Sequence, residues 1–152
     1  MIRRTAGILL GVLVALLPLA ALAQTGHDRP GPHGAAAEEY SALPKPGEKI
    51  PLGPEHYFVY GFDRAPRLGP LIVKVQVFTK SGKPDTTFTV QAEADMPSMR
   101  GAHATGFKEF KVSNRGDYVL PVTLVMPGQW EIRFIFLKSG KPLLRGRHAF
   151  SI

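Results

Sequence analysis

The sequence predicts an all-β fold: a seven-stranded antiparallel β-sandwich, preceded by a cleavable leader and a disordered tether. Three observations carry this. Apolar and polar residues alternate with period two from Tyr57 onward, turn signals separate the alternating runs, and no helical period competes with them.

In chain order, the sequence opens on Arg3 and Arg4, an apolar run from Ile8 to Leu22, and small residues at Ala21 and Ala23. That is the tripartite layout of a secretory signal peptide over residues 1–23, with cleavage after Ala23. The run is broken by Pro18 and is short against the roughly 20 residues of a membrane span. An uncleaved anchor is the alternative. Residues 24–54 are dense in proline and glycine and lack apolar periodicity. Such a segment buries too little surface to offset its ordering entropy, so a disordered tether is expected there. The folded domain is expected over 55–152.

Within it, "YFVYGFD" (57–63) predicts the first strand. "LIVKVQVF" (71–78) places Leu71, Val73, Val75 and Val77 on one face, and "TFTVQAEA" (87–94) does the same with Phe88, Val90, Ala92 and Ala94. "FKEFKV" (107–112) is a shorter strand. "YVLPVTLVM" (118–126) contains Pro121, which predicts an edge or a bulge. "QWEIRFIFL" (129–137) sets Trp130, Ile132, Phe134 and Phe136 against Glu131 and Arg133, and "LLRGRHAFSI" (143–152) closes the chain. Seven short strands with turns between them predict a sandwich of immunoglobulin-like type. The repeated "KSGKP" (80–84 and 138–142) is expected to be one local turn used twice.

Composition narrows the chemistry. There is no cysteine, so thiolate metal sites, iron–sulfur clusters and disulfide staples are excluded. The formal net charge of +7 favours anionic partners or a peripheral membrane contact. No nucleic-acid-binding module accompanies it, so no nucleic-acid partner is expected. No nucleophile elbow, zinc-protease motif or phosphate-cradling loop is present, and the aspartates show no pairing for acid–base work. A non-catalytic protein is expected.

Antiparallel alternation sorts the loops. Loops 64–70, 95–106 and 127–128 fall at one end, and loops 79–86, 113–117 and 138–142 at the other. The first end gathers "DMPSMRGAH" (95–103) and "MPG" (126–128), hence Met96, Met99, His103 and Met126. Thioethers are soft donors that suit Cu(I), and an imidazole adds a stronger nitrogen donor. Met96, Met99 and His103 are therefore the candidate metal ligands, with Met126 as a further donor. The competing reading is that these methionines fill the end of the sandwich, and Arg100 within the loop disfavours a nearby cation. His148 shares its phase with Phe150 and Ile152, which predicts a half-buried histidine. His56 has no evident partner, and His27 and His33 fall in the tether. The second end gathers Lys80, Lys83, Arg115, Lys138 and Lys141, a basic pole that is either solvated or a docking surface.

"RAPRLGP", "KSGKP", "MPSM" and "RGDYVLPVTLVMPGQWEIRF" together resemble the YtkA-like domain, a relative of the FixH group. The resemblance covers roughly 57–152. It implies a small exported or membrane-anchored immunoglobulin-like domain, linked to copper handling, metal efflux or terminal-oxidase assembly. Together these readings give the expectation of a periplasmic or cell-envelope accessory domain that binds or delivers Cu(I). The alternative is a metal-free interaction module docking on an envelope or membrane complex.

Overall fold

The structure, a computed structural model, describes residues 39–152. The signal peptide expected over 1–23 and the tether residues before Glu39 lie outside the described residues. The expected antiparallel β-sandwich is what the described chain forms. One five-stranded sheet, sheet A, has the order β1 (Ser41–Ala42), β10 (Lys141–Ser151), β9 (Gln129–Lys138), β5 (Thr89–Asp95), β6 (Lys108–Glu109). The other, sheet B, has the order β2 (Ile50–Leu52), β3 (His56–Phe62), β4 (Gly69–Thr79), β8 (Tyr118–Leu124), β7 (Lys111–Val112). Setting β1, β2 and β6 aside, the sandwich is β3-β4-β8-β7 facing β10-β9-β5.

The alternation read from sequence places the core. Leu71, Val73, Val75 and Val77 face inward from β4, Val90, Ala92 and Ala94 from β5, and Trp130, Ile132, Phe134 and Phe136 from β9. Rings meet across the two sheets, with Phe58 and Phe136 centroids 4.2 Å apart and Tyr60 and Phe134 5.4 Å apart. The buried Tyr118 hydroxyl is satisfied on both sides. It donates to the Phe88 carbonyl at 2.9 Å and accepts from the Phe88 amide at 3.1 Å.

Three features depart from the sequence expectation. First, the run 107–112 is two strands. Phe110 is buried in the core and its amide bonds the Val90 carbonyl at 2.9 Å. The chain dips inward there and leaves β6 on sheet A and β7 on sheet B. Second, the tether does not extend to residue 54. Ile50 and Leu52 are buried on alternate positions of β2, and Leu43 lies against Gly146 of β10. Residues 40–52 thus form a strap that adds β1 parallel to β10 and β2 antiparallel to β3, covering one side of the sandwich. The Leu43 amide bonds the Arg147 carbonyl at 2.8 Å, and the Tyr60 hydroxyl donates to the Pro44 carbonyl at 2.5 Å. With these additions the described chain has ten strands rather than seven.

Third, the two "KSGK" turns differ. Lys138 and Lys141 pair directly, with Ser139 (φ 51°) and Gly140 (φ 76°) both left-handed, which makes a two-residue type I′ hairpin. The first copy is wider: the Thr79 amide reaches the Lys83 carbonyl at 2.8 Å around a loop of three residues. Beyond it the arms share only the Phe78–Pro84 bridge and the bond from the Asp85 amide to the Val77 carbonyl, at 2.9 Å, before the chain leaves sheet B for sheet A. Pro121 lies on β8 where only β4 pairs with it, since β7 reaches just Tyr118 and Val119. It sits at an edge, as its missing N–H requires.

Candidate functional site

The end of the sandwich carrying the methionine loop is built from strand outward. β5 runs antiparallel to β9, with Asp95 opposite Glu131, so the loop after β5 and the turn before β9 share one end. The loop is closed by a reciprocal pair of bonds. The Thr105 amide donates to the Ala94 carbonyl, and the Ala94 amide donates to the Thr105 hydroxyl, each at 3.0 Å. Between them Pro97–Met99 form a single 3-10 turn.

Within that loop the candidate ligands separate. Met96 is 3% exposed and belongs to the core. Its backbone is still extended (φ −101°, ψ 116°), so it continues the inward phase of Val90, Ala92 and Ala94. A Cβ placed on Gly128 would fall 2.9 Å from the Met96 methyl, so loop 95–106 and "MPG" do meet. Met99, on the 3-10 turn, is 37% exposed. His103 is half-buried on the same loop. Met126 is half-buried against the core, and its carbonyl accepts the Trp130 indole N–H at 3.0 Å. Thus the fold brings all four to one end, commits Met96 and partly Met126 to packing, and leaves Met99 and His103 open. Among the described residues no group of three His, Asp or Glu side chains is placed to hold a metal ion, so a soft cation here would depend on thioether sulfur.

Arg100 does not crowd that opening as a bare charge. Its guanidinium bonds Glu131 at 2.8 Å and lies 3.7 Å from Asp95. Arg147 reaches the other oxygen of Glu131 at 3.1 Å. Asp95 also accepts the Met96 amide at 2.8 Å and the Gly101 amide at 3.2 Å. Both carboxylates are 1% exposed. Burial alone would raise the Glu131 carboxyl, but the Arg100 and Arg147 hydrogen bonds and charges outweigh it and hold it below its ordinary value. Further along the same face Arg133 pairs with Glu93 and lies over the Tyr40 and Phe107 rings, 5.4 and 5.8 Å from their centroids. Sequence reading missed this ionic layer because Glu131 and Arg133 occupy the outward phase, which usually means solvent. The available signal was the arginines at 133, 145 and 147 on the last two strands.

The same end is also apolar. Gly69 pairs with Leu124 at the end of the ladder, so Leu68 and Val125 are the residues just beyond it on the two strands. They are 54% and 59% exposed.

The opposite pole is less free than its lysines suggested. Lys138 bonds Asp85 at 3.1 Å, also bonds the Thr87 hydroxyl, and lies 4.2 Å over the Phe88 ring. Asp85 further holds His56 at 3.0 Å, which supplies the partner the sequence did not reveal. Burial pushes the Asp85 carboxyl up, but its bonds from Thr87, Lys138 and His56 win and hold it far below the usual carboxylate range. Lys80, Lys83, Arg115 and Lys141 are exposed. His148 is half-buried beside Tyr60 and Phe150, and burial lowers its pKa. No helix among the described residues is long and apolar enough to cross a membrane.

Residues 63–134, from the loop after β3 into β9, match the family model described as YtkA-like. Neither the curated proteins nor the solved structures give a match.

Proposed function

On the premise that this chain carries a YtkA-like domain, we propose that it is a non-catalytic accessory domain of the cell envelope that docks on an envelope complex through its methionine-loop end. The observation that supports this is the exposure of Leu68 and Val125, which flank the Gly69–Leu124 pair at that end and are each more than half exposed. Large exposed aliphatic side chains gathered at one end suit an interface better than water. Met99, a deformable apolar side chain, extends the same end. A photo-crosslinking residue at position 68 or 125 of the exported protein tests the proposal. It should give a discrete adduct that the same residue at position 80 or 141 does not. No adduct, or equal adducts from both ends, sinks it.

A second reading is Cu(I) binding, favoured by the accessibility of Met99 and His103 on one loop whose only arginine is already ion-paired. Met96 is then a packing residue rather than a ligand. Titration of the protein with Cu(I) against a competing chelator under reducing conditions separates the roles. Met99→Ala and His103→Ala should each lose the competition and Met96→Ala should keep it. Wild type that competes no better than Met99→Ala ends the copper reading and leaves docking untouched.

A further inference from the structure

The outer face of sheet B departs from the rule that the open side of an antiparallel sheet is polar. The register of β4 and β8 sets Pro70 opposite Thr123, Ile72 opposite Pro121 and Lys74 opposite Val119. The alternate residues Leu71, Val73, Leu120 and Val122 are buried in the core, so the first set faces outward. Pro70, Ile72, Pro121 and Thr123 are all exposed, Ile72 by 37%. Neither β3, β4 nor β8 contains an acidic residue. The outer face of sheet A, by contrast, carries the ionic layer of Glu93, Glu131 and their arginines.

Shape and charge define what can cover this face. A strand is poorly accepted at the free side of β8. There β7 pairs only Tyr118 and Val119, and Pro121 beyond them has no N–H to offer. From Pro70 to Gln76 the face is about 20 Å long, the length of a helix of about 14 residues, and helices are what usually cover sheet faces in layered domains. The charges are unbalanced. Lys74 and Lys111 flank Val119 from its two sides, and Arg67 is exposed in the loop before β4. Asp63 is already bonded to Arg64 and to the Ile72 amide. Asp117, which accepts from Gln76 at 2.6 Å, offsets only one of the three cations. A second copy of this face would meet cations with cations. A bilayer would have to take up the Lys74 ammonium, which stands between Ile72 and Gln76 rather than at a rim.

We propose that the β4–β8 face takes an amphipathic helix of a partner protein, its apolar stripe lying along Ile72 and Pro121 and its flanking carboxylates meeting Lys74 and Lys111. This rests on the docking proposed above and gives the partner its chemistry, since the face runs toward the end where Leu68 and Val125 lie just beyond the two strands. Helix-in-groove recognition of this kind is read through apolar anchors three and four residues apart.

The test places a photo-crosslinking residue at position 72 or 121 of the exported full-length protein, and at position 149 on the outer face of sheet A as control, and maps each adduct by peptide mass spectrometry. Positions 72 and 121 should give the same adduct, on a segment with apolar residues three and four apart and Asp or Glu beside them, and position 149 should not. That segment, made as a synthetic peptide, should bind the full chain. Lys74→Glu combined with Lys111→Glu should weaken it at least tenfold, and the paired Lys→Arg changes should keep it. Ile72→Ser should weaken it at least fivefold with the unfolding midpoint unchanged. Adducts to a second copy, lipid adducts with sedimentation on phosphatidylcholine–phosphatidylglycerol vesicles, or a peptide indifferent to the charge reversal each overturn the proposal. Crosslinks at 68 and 125 but not at 72 and 121 overturn the helix site and leave docking through the loop end. Crosslinks at 72 and 121 alone do the reverse.

Discussion

Gly146 is where the strap can be tested with a single methyl group. A Cβ at this position would stand 2.5, 2.8 and 3.0 Å from Leu43 Cδ2, Cγ and Cδ1. Those distances lie well inside van der Waals contact, so in Gly146→Ala the Leu43 side chain must leave its seat. Burying a leucine is worth about 1.5–3 kcal/mol, and Leu43 is only partly buried, so roughly half of that is at stake. Adding one net hydrogen bond, Leu43 N to Arg147 O, brings the expected loss to about 1.3–3 kcal/mol. Leu43→Ala alone should cost about 1 kcal/mol through the same lost burial. The double variant should cost no more than Leu43→Ala, since the colliding atoms are gone. Urea denaturation of the four proteins gives the cycle, and an interaction energy of about 1 kcal/mol or more is expected. Additive costs would show that Leu43 is not what Gly146 accommodates, and that the strap is not seated on β10.

The remaining expectations concern the methionine loop and the titrating groups. Met96→Ala should destabilise by about 2–4 kcal/mol, as large-to-small changes in a core do, whereas Met99→Ala should stay within about 0.5 kcal/mol of wild type in the same assay. The folded-state pKa of Glu131 lies below its unfolded value, so its contribution is present above about pH 4.3 and is lost as pH falls toward the lower folded value. Glu131→Gln should therefore flatten the acid side of a stability profile measured by urea midpoint from pH 7 to pH 3. His148 is also lowered, by burial, so the unfolded chain takes up a proton first and stability falls as pH drops below about 6.5. His148→Phe should remove that slope, and an unchanged slope would assign it to another group.

Much of the fold was legible because its central strands keep period two, and burial follows that period on β4 and for the apolar residues of β5 and β9, where the outward-phase Glu93, Asp95 and Glu131 are buried as well. The same rule, carried one residue past β5, already places Met96 with Val90, Ala92 and Ala94. The spacing of Met96 and Met99 suggested a ligand pair, but one residue ends a strand and the other belongs to a 3-10 turn, so they have different neighbours. The strap was not legible. Its anchors, Tyr40, Leu43, Ile50 and Leu52, are isolated among prolines and glycines, and Tyr40 and Leu43 meet residues far along the chain, Phe107 and Gly146. The split at Phe110 was hidden for a similar reason. Six residues can alternate correctly and still change sheet, because alternation records which face is apolar and not which ladder receives the strand.

The ionic layer explains why the methionine loop can be held without cysteine or metal. Asp95 and Glu131 stand directly opposite each other on adjacent strands, an arrangement that repels when both are charged. Burying two like charges is tolerable only if a cation lies between them, and Arg100 meets that need from inside the loop itself. A lysine there would supply one point charge, whereas the guanidinium fork addresses both carboxylates while Arg147 takes the remaining Glu131 oxygen. The loop is therefore fastened through residue 100, from the outer face of sheet A, and through Met96, from the core. Met99 lies between these two anchors and contributes to neither. Its exposure is thus not a packing accident but the consequence of a loop fixed on both sides of it, which is what a residue presented to a partner or a soft cation requires.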